Sequence, residues 1–159
     1  MADTATAPGA ILRREEELPF VDLGAGNKLQ LLHVDLANGL WIVRNKFDPG
    51  TIVQKHRHTG PVYAFTQSGS WHYLEYPHDV NVAGSYLFEP AGSVHTLHVL
   101  DSNEGPTDVW FTIHGANLNL AADDSVEMVV DAQLILAYYR ALCVAQFDLK
   151  DPPVVVIDY

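Results

Sequence analysis

Between Leu18 and about Leu120 the apolar residues fall in short runs: KLQLLHVD, GLWIVRNKF, TIVQKH, PVYAFTQ, SWHYLEY, SYLFE, VHTLHVL and TDVWFTIHG. Each is rich in β-branched and aromatic residues, which suit a pleated surface. Turn formers separate them, among them Ala37-Asn38-Gly39, Asp48-Pro49-Gly50, Ser68-Gly69-Ser70, Pro77-His78-Asp79, Ala83-Gly84 and the segment Ser102 to Pro106. Short strands recurring every roughly 8 to 15 residues, with Gly, Asn, Asp and Pro between them, predict an all-β sandwich or barrel.

The period changes at Asp131. DAQLILAYYRALCVAQF offers an acidic N-cap, good helix formers, and apolar Leu134, Ile135, Tyr138, Leu142 and Val144 at helical spacing, so one C-terminal helix is expected to pack on the β-domain. DPPVVVIDY follows as an extended segment, because consecutive prolines cannot continue a helix. The first 17 residues are small, polar and then charged, with no repeating apolar face, and are expected to form a mobile arm. The chain thus divides into an arm (1–17), a barrel (18–130) and a helix with its tail (131–159), without an internal repeat.

Composition narrows the function classes. The 159 residues include 48% hydrophobic and 18% charged side chains, enough for one ordinary core. Nine Lys plus Arg against twenty Asp plus Glu give a formal charge of −11. That sign argues against nucleic acid or anionic membrane as a partner. Neither a secretory signal nor an apolar run near the length of a bilayer span stands out, so a cytoplasmic location is expected. The single Cys143 leaves no internal disulfide and no all-cysteine zinc site. The eight histidines carry the remaining chemistry.

His56 and His58 lie two apart in QKHRHTG, and on a strand residues i and i+2 share a face. Neutral imidazole is a ligand of borderline metals, so the pair is half of a potential metal site. Gly50 precedes it and Gly69 follows, where it is expected to close a hairpin. Further on, GSYLFEPAGSVH spaces Gly84, Pro90, Gly92 and His95 as G-x5-P-x-G-x2-H. The remaining histidines, His33, His72, His78, His98 and His114, are expected on surfaces, in loops or as satisfied core residues; His114 alone shares a face with Trp110 and Thr112.

These two blocks resemble the paired motifs of the cupin superfamily, G-x5-HxH-x3,4-E-x6-G and G-x5-PxG-x2-H-x3-N, over roughly residues 20 to 120. The resemblance implies an RmlC-like double-stranded β-helix, or jelly-roll barrel, with His56, His58 and His95 holding a metal. Two positions depart from it. The motif's glutamate falls at Val62 or Tyr63, and its asparagine at Val99. Glu75, which shares strand parity with Trp71 and Tyr73, is therefore the candidate for the missing carboxylate, as a ligand or as a base.

The wording HRHTGPVYAFTQSGSWHYLEY is most similar to the ChrR-like cupins, within them to the 2,4'-dihydroxyacetophenone dioxygenases, and also to the acetylacetone dioxygenases. What this implies is an Fe(II) enzyme, with Zn, Mn or Ni as other possible metals, that uses O2 to cleave a carbon–carbon bond beside the ketone of a small-molecule substrate. Glu75 or Tyr63 would be the catalytic base, and Trp41, Trp71, Tyr73 and Trp110 would line the substrate pocket, with Phe65 a further candidate. Alternatives on the same barrel are a non-catalytic ChrR-like metal sensor, which needs an upstream sigma-binding domain, and a sugar isomerase or epimerase, which needs cations for a phosphate. A homodimer is expected, with a tetramer as the other assembly.

Overall fold

The computed structural model describes residues 9–159. In chain order the strands are β1 (Val21–Asp22), β2 (Asn27–Asp35), β3 (Leu40–Phe47), β4 (His56–His58), β5 (Val62–Ser68), β6 (Ser70–Tyr73) and β7 (Asn81–Val82). They continue as β8 (Tyr86–Glu89), β9 (Val94–His95), β10 (Leu97–Val99), β11 (Thr107–His114), β12 (Asn117–Leu120), β13 (Val126–Val130) and β14 (Val155–Ile157), with one α-helix, α1 (Ala132–Phe147), before the last. A seven-stranded sheet runs β1-β2-β3-β11-β5-β8 with β14 added on β2. A four-stranded sheet, β13-β12-β4-β9, and a three-stranded one, β10-β6-β7, make up the rest. All pairings are antiparallel except β14 on β2, and the result is a cupin jelly roll.

Alternation along the strands defines the inside. On β5 Val62, Ala64 and Thr66 are buried while Tyr63 and Phe65 face out. On β4 both histidines are buried and Arg57 is exposed. Gly69 turns a corner instead of closing the expected hairpin: β5 pairs with β11 and β8, whereas β6 belongs to the three-stranded sheet. Its φ of 78° is left-handed, and a Cβ there would lie 2.2 Å from Thr107 Oγ1, so glycine is what fits.

The helix starts as expected, with Asp131 accepting from the Leu134 amide, and ends at Asp148 in the left-handed region. Its buried stripe is Ala132, Ile135, Leu136, Tyr139 and Cys143, rotated from the stripe expected. Leu134, Tyr138 and Val144 are exposed. Apolar residues surround this helix on most sides, so packing against Leu18, Val21 and Leu31 selects the face. Both edge segments of the chain are used on one strand: β1 covers the start of β2, and β14 covers its end through Val155 opposite His33.

Residues 1–8 of the expected arm lie outside the described residues. Its end is held to the barrel: Glu15–Glu17 form a 3₁₀ turn, and Glu15 pairs with Arg44 at 2.6 Å and with Lys46 at 3.0 Å. Among the described residues no helix is long and apolar enough to cross a membrane.

Candidate metal centre and cavity

Two neighbouring strands bring the three histidines together. His56 and His58 project from β4, and His95 stands directly opposite His56 on β9. Their ring centroids lie 4.8 to 5.2 Å apart. One ring nitrogen from each falls within 4.8 Å of the others. All three are buried, at 6%, 4% and 2% exposure.

His56 Nδ1 sits 2.8 Å from the Gln54 carbonyl oxygen. A carbonyl only accepts, so Nδ1 carries the hydrogen and Nε2 keeps its lone pair. Burial is the main cause that pushes the His56 pKa down to about 4, so at neutral pH it is an uncharged potential ligand.

A carboxylate completes the cluster, and it is Glu89. Its Oε2 lies 3.1 Å from His58 Nε2 and 3.2 Å from His95 Nε2. Neither approach has hydrogen-bond geometry, so His95 Nε2 and Glu89 Oε2 are buried without a hydrogen-bond partner, as is His58 Nδ1. Burial favours the neutral acid at Glu89, but His58 and His95 outweigh it and hold the carboxyl well below its usual range. Tyr73 donates its hydroxyl hydrogen to Glu89 Oε1. Buried nitrogen and carboxylate atoms that converge unpaired fit a cation, and the three-imidazole, one-carboxylate donor set suits a borderline metal.

Glu75 is elsewhere. The strand ends at Tyr73, the chain turns at Leu74, and period-two parity no longer applies at Glu75. Its exposed carboxylate accepts from the Thr96 amide at 2.8 Å and from Thr96 Oγ1 at 3.0 Å. Tyr63 is on the outer face of β5, 39% exposed, against Phe88 and His114. The signal for Glu89 was present in SYLFE, where Leu87 and Glu89 share a face, in the residue just before the Pro90 turn.

The cavity in front of the cluster measures about 460 Å³. Trp41 and Tyr73 line it, as do His56, His58 and Glu89. Trp71 lies fully buried within the inner packing, its Nε1 donating to Thr66 Oγ1. Trp110 is on the outer side, its indole beside the Arg44 guanidinium and donating to Gln67 Oε1. Phe65 is half exposed on that same outer side. Sequence parity did not single out the lining residues Phe111, Ile113, Asn117, Asn119 and Tyr138; three of them come from β12 and α1, whose placement over the barrel depends on tertiary packing. His72 and His98 pair with each other, Nε2 to Nδ1 at 3.0 Å, away from the cluster.

A β-barrel with an inward cluster of three histidines that could hold a metal ion, on adjacent strands, defines the chain as a cupin. Residues 8–116 match the family model of the ChrR cupin-like domain. The chain belongs to that family. A protein of unknown function with a cupin-like fold from Ralstonia eutropha is 32% identical, with 97% of this chain and 96% of that one covered and a TM-score of 0.88. An RmlC-like cupin from the same organism is 25% identical, covering 92% and 93%, with a TM-score of 0.79. An acetylacetone dioxygenase from Acinetobacter johnsonii shares the fold at 19% identity, covering 89% and 97%, with a TM-score of 0.72. No curated protein matches the sequence.

Proposed function

We infer that the protein is a non-heme iron dioxygenase that splits the carbon–carbon bond beside the ketone of a small hydroxyketone or diketone, of which 2,4'-dihydroxyacetophenone is the type. The observation that carries this reading is a cluster of three buried imidazoles and Glu89, of which His56, His58 and Glu89 line a largely apolar cavity of about 460 Å³. Among the described residues no Lys or Arg lines that cavity, which disfavours a phosphosugar and suits a neutral ligand. The fold shared with the acetylacetone dioxygenase is a second support.

His56, His58 and His95 would hold the iron, with Glu89 beside it. Bound Fe(II) supplies Lewis acidity toward the substrate's oxygens and the electrons that activate O2. The chain's own residues do the rest. Glu89 Oε2 is placed to take the proton of the substrate's hydroxyl or enol, and the Tyr73 hydrogen bond to Oε1 fixes the carboxylate for that transfer. Trp41, Phe111 and Ile113 exclude water and hold the apolar part of the substrate. Both atoms of O2 end in the products, two carboxylic acids from a hydroxyketone and one carboxylic acid with an α-dicarbonyl from a β-diketone, so one O2 is consumed per substrate cleaved.

Anaerobic loading with Fe(II), followed by oxygen-uptake measurements with 2,4'-dihydroxyacetophenone and acetylacetone, tests the reading. Uptake in a one-to-one ratio with ketone loss is the expected result. Absence of uptake with both ketones, in protein containing one iron per chain, overturns it.

A further inference from the structure

The strand next to the HxH pair carries a second chemical feature. β12 runs antiparallel to β4 with Asn117 opposite His58 and Asn119 opposite His56. Residues directly opposite in an antiparallel pair project to the same face. The two amides therefore stand beside the two imidazoles on the inner face, while Arg57 and Leu118, also opposite each other, alternate to the outer one. Asn119, His56 and His95 form one row across three adjacent strands.

Both asparagines line the cavity. Asn117 Oδ1 is buried and has no hydrogen-bond partner. A polar amide turned into a largely apolar barrel is unfavourable unless something bonds to it, and the unpaired acceptor carries a desolvation cost that a ligand donor would relieve. An amide also offers N–H donors within the same group, so one side chain can match a hydroxyl or a carbonyl. It is uncharged, and among the described residues no Lys or Arg lines the cavity. A carboxylate or phosphate ligand would find no Lys or Arg to pair with there, only the metal whose charge Glu89 already offsets in part.

We propose that Asn117 and Asn119 are substrate-positioning residues that hydrogen-bond the oxygens of a neutral hydroxyketone as it lies against the histidine cluster, with Asn117 accepting from its hydroxyl in the bound complex, before that proton passes to Glu89. This deepens the dioxygenase reading and rests on it. The amide pair selects for the hydroxyl that a plain ketone lacks, because a site built to bond that group leaves its own polar atom unpaired when the group is missing.

Protein loaded with Zn(II), which does not turn over, allows binding to be measured by calorimetry. The probes are 2,4'-dihydroxyacetophenone and 4'-hydroxyacetophenone, which lacks the α-hydroxyl. Wild type is expected to prefer the first. Asn117→Leu and Asn117→Ala are expected to lower that preference about tenfold while keeping one metal per chain, with Asn117→Ser recovering part of it and Asn119→Leu giving a smaller loss. An unchanged preference in whichever of the Leu and Ala variants retains metal overturns the proposal and leaves the dioxygenase reading standing. Loss of metal from both also overturns it, since Asn117 would then serve the metal site. Binding of neither ketone by metal-loaded wild type overturns the proposal together with the reading it rests on.

Discussion

Tyr73 lies flat against the imidazole of His95, with ring centroids 3.9 Å apart and planes 15° from parallel, while its hydroxyl donates to Glu89. One side chain thus fixes both the histidine ring from β9 and the carboxylate from β8. The stack limits the rotation of His95, and the hydrogen bond leaves Glu89 Oε2 directed at the cluster.

Tyr73→Phe separates these two effects. The stack remains and the hydroxyl goes, so metal content should stay at one per chain while turnover falls about 10- to 100-fold, the usual scale for a partner that orients a metal-site group. Metal analysis beside oxygen uptake checks this. A variant with unchanged turnover would show that the Glu89 orientation does not matter.

Glu89→Gln and Glu75→Gln form a paired test of which carboxylate serves the site. Glu89 lies within 3.2 Å of two of the histidines, whereas Glu75 is exposed and bonded to Thr96. Glu89→Gln should cut oxygen uptake by at least about 100-fold, as removal of a general base does. Glu75→Gln should stay within about twofold of wild type. Reversed outcomes would restore Glu75 as the functional acid.

The contrast explains how much of the site was legible. The HxH pair and the PAG turn place His56, His58 and His95 because their spacing is local and each strand's parity is sound up to the residue concerned. Parity failed at Glu75 because β6 stops two residues earlier, a boundary set by the turn at Leu74. Trp110 is a pocket candidate in the sequence for its aromatic ring alone, without a parity argument; β11 in fact alternates regularly, with Phe111 and Ile113 lining the cavity and Trp110 on the other face beside Arg44. Strands β12 and β13 lacked a strong alternating pattern, with Asn at two inward positions, so nothing in the sequence announced them as the wall beside the histidine cluster.

Metal binding should raise stability measurably. With metal at a hundredfold excess over its dissociation constant, binding to the folded state alone is worth about 2.7 kcal/mol. For a domain of this size that shifts the melting temperature by roughly 5–10 °C. His95→Ala should abolish the shift and the bound metal together, which differential scanning fluorimetry and metal analysis detect. A shift that survives in the variant would place the cation at other groups.

Away from the site, Arg44 and Asp108 form a buried two-pronged pair, at 2.8 Å and 2.6 Å, with both side chains 8% exposed. Arg44→Ala leaves the Asp108 charge buried and unpaired, and should destabilise by about 3–5 kcal/mol in urea unfolding. Arg44→Lys should recover only part of that, because one ammonium cannot reproduce the fork. A loss below about 1 kcal/mol in Arg44→Ala would mean that water reaches Asp108 freely.

Glu15 extends this pair to the chain's N-terminal segment, and its contribution should depend on pH. Lys46 first, then Arg44, hydrogen-bond its carboxylate and hold the pKa below the ordinary value of 4.5. A depressed folded-state pKa means the stabilisation is fully present above that ordinary value and is lost as pH falls through the lowered one. The side chain is 52% exposed, so the effect is screened and amounts to less than about 1 kcal/mol. Glu15→Gln should therefore melt about 1–3 °C below wild type near pH 7, with the gap closing near pH 3 and shrinking in about 1 M salt. A gap that widens toward acid would reverse the sign of the linkage and detach Glu15 from Arg44 and Lys46 in solution.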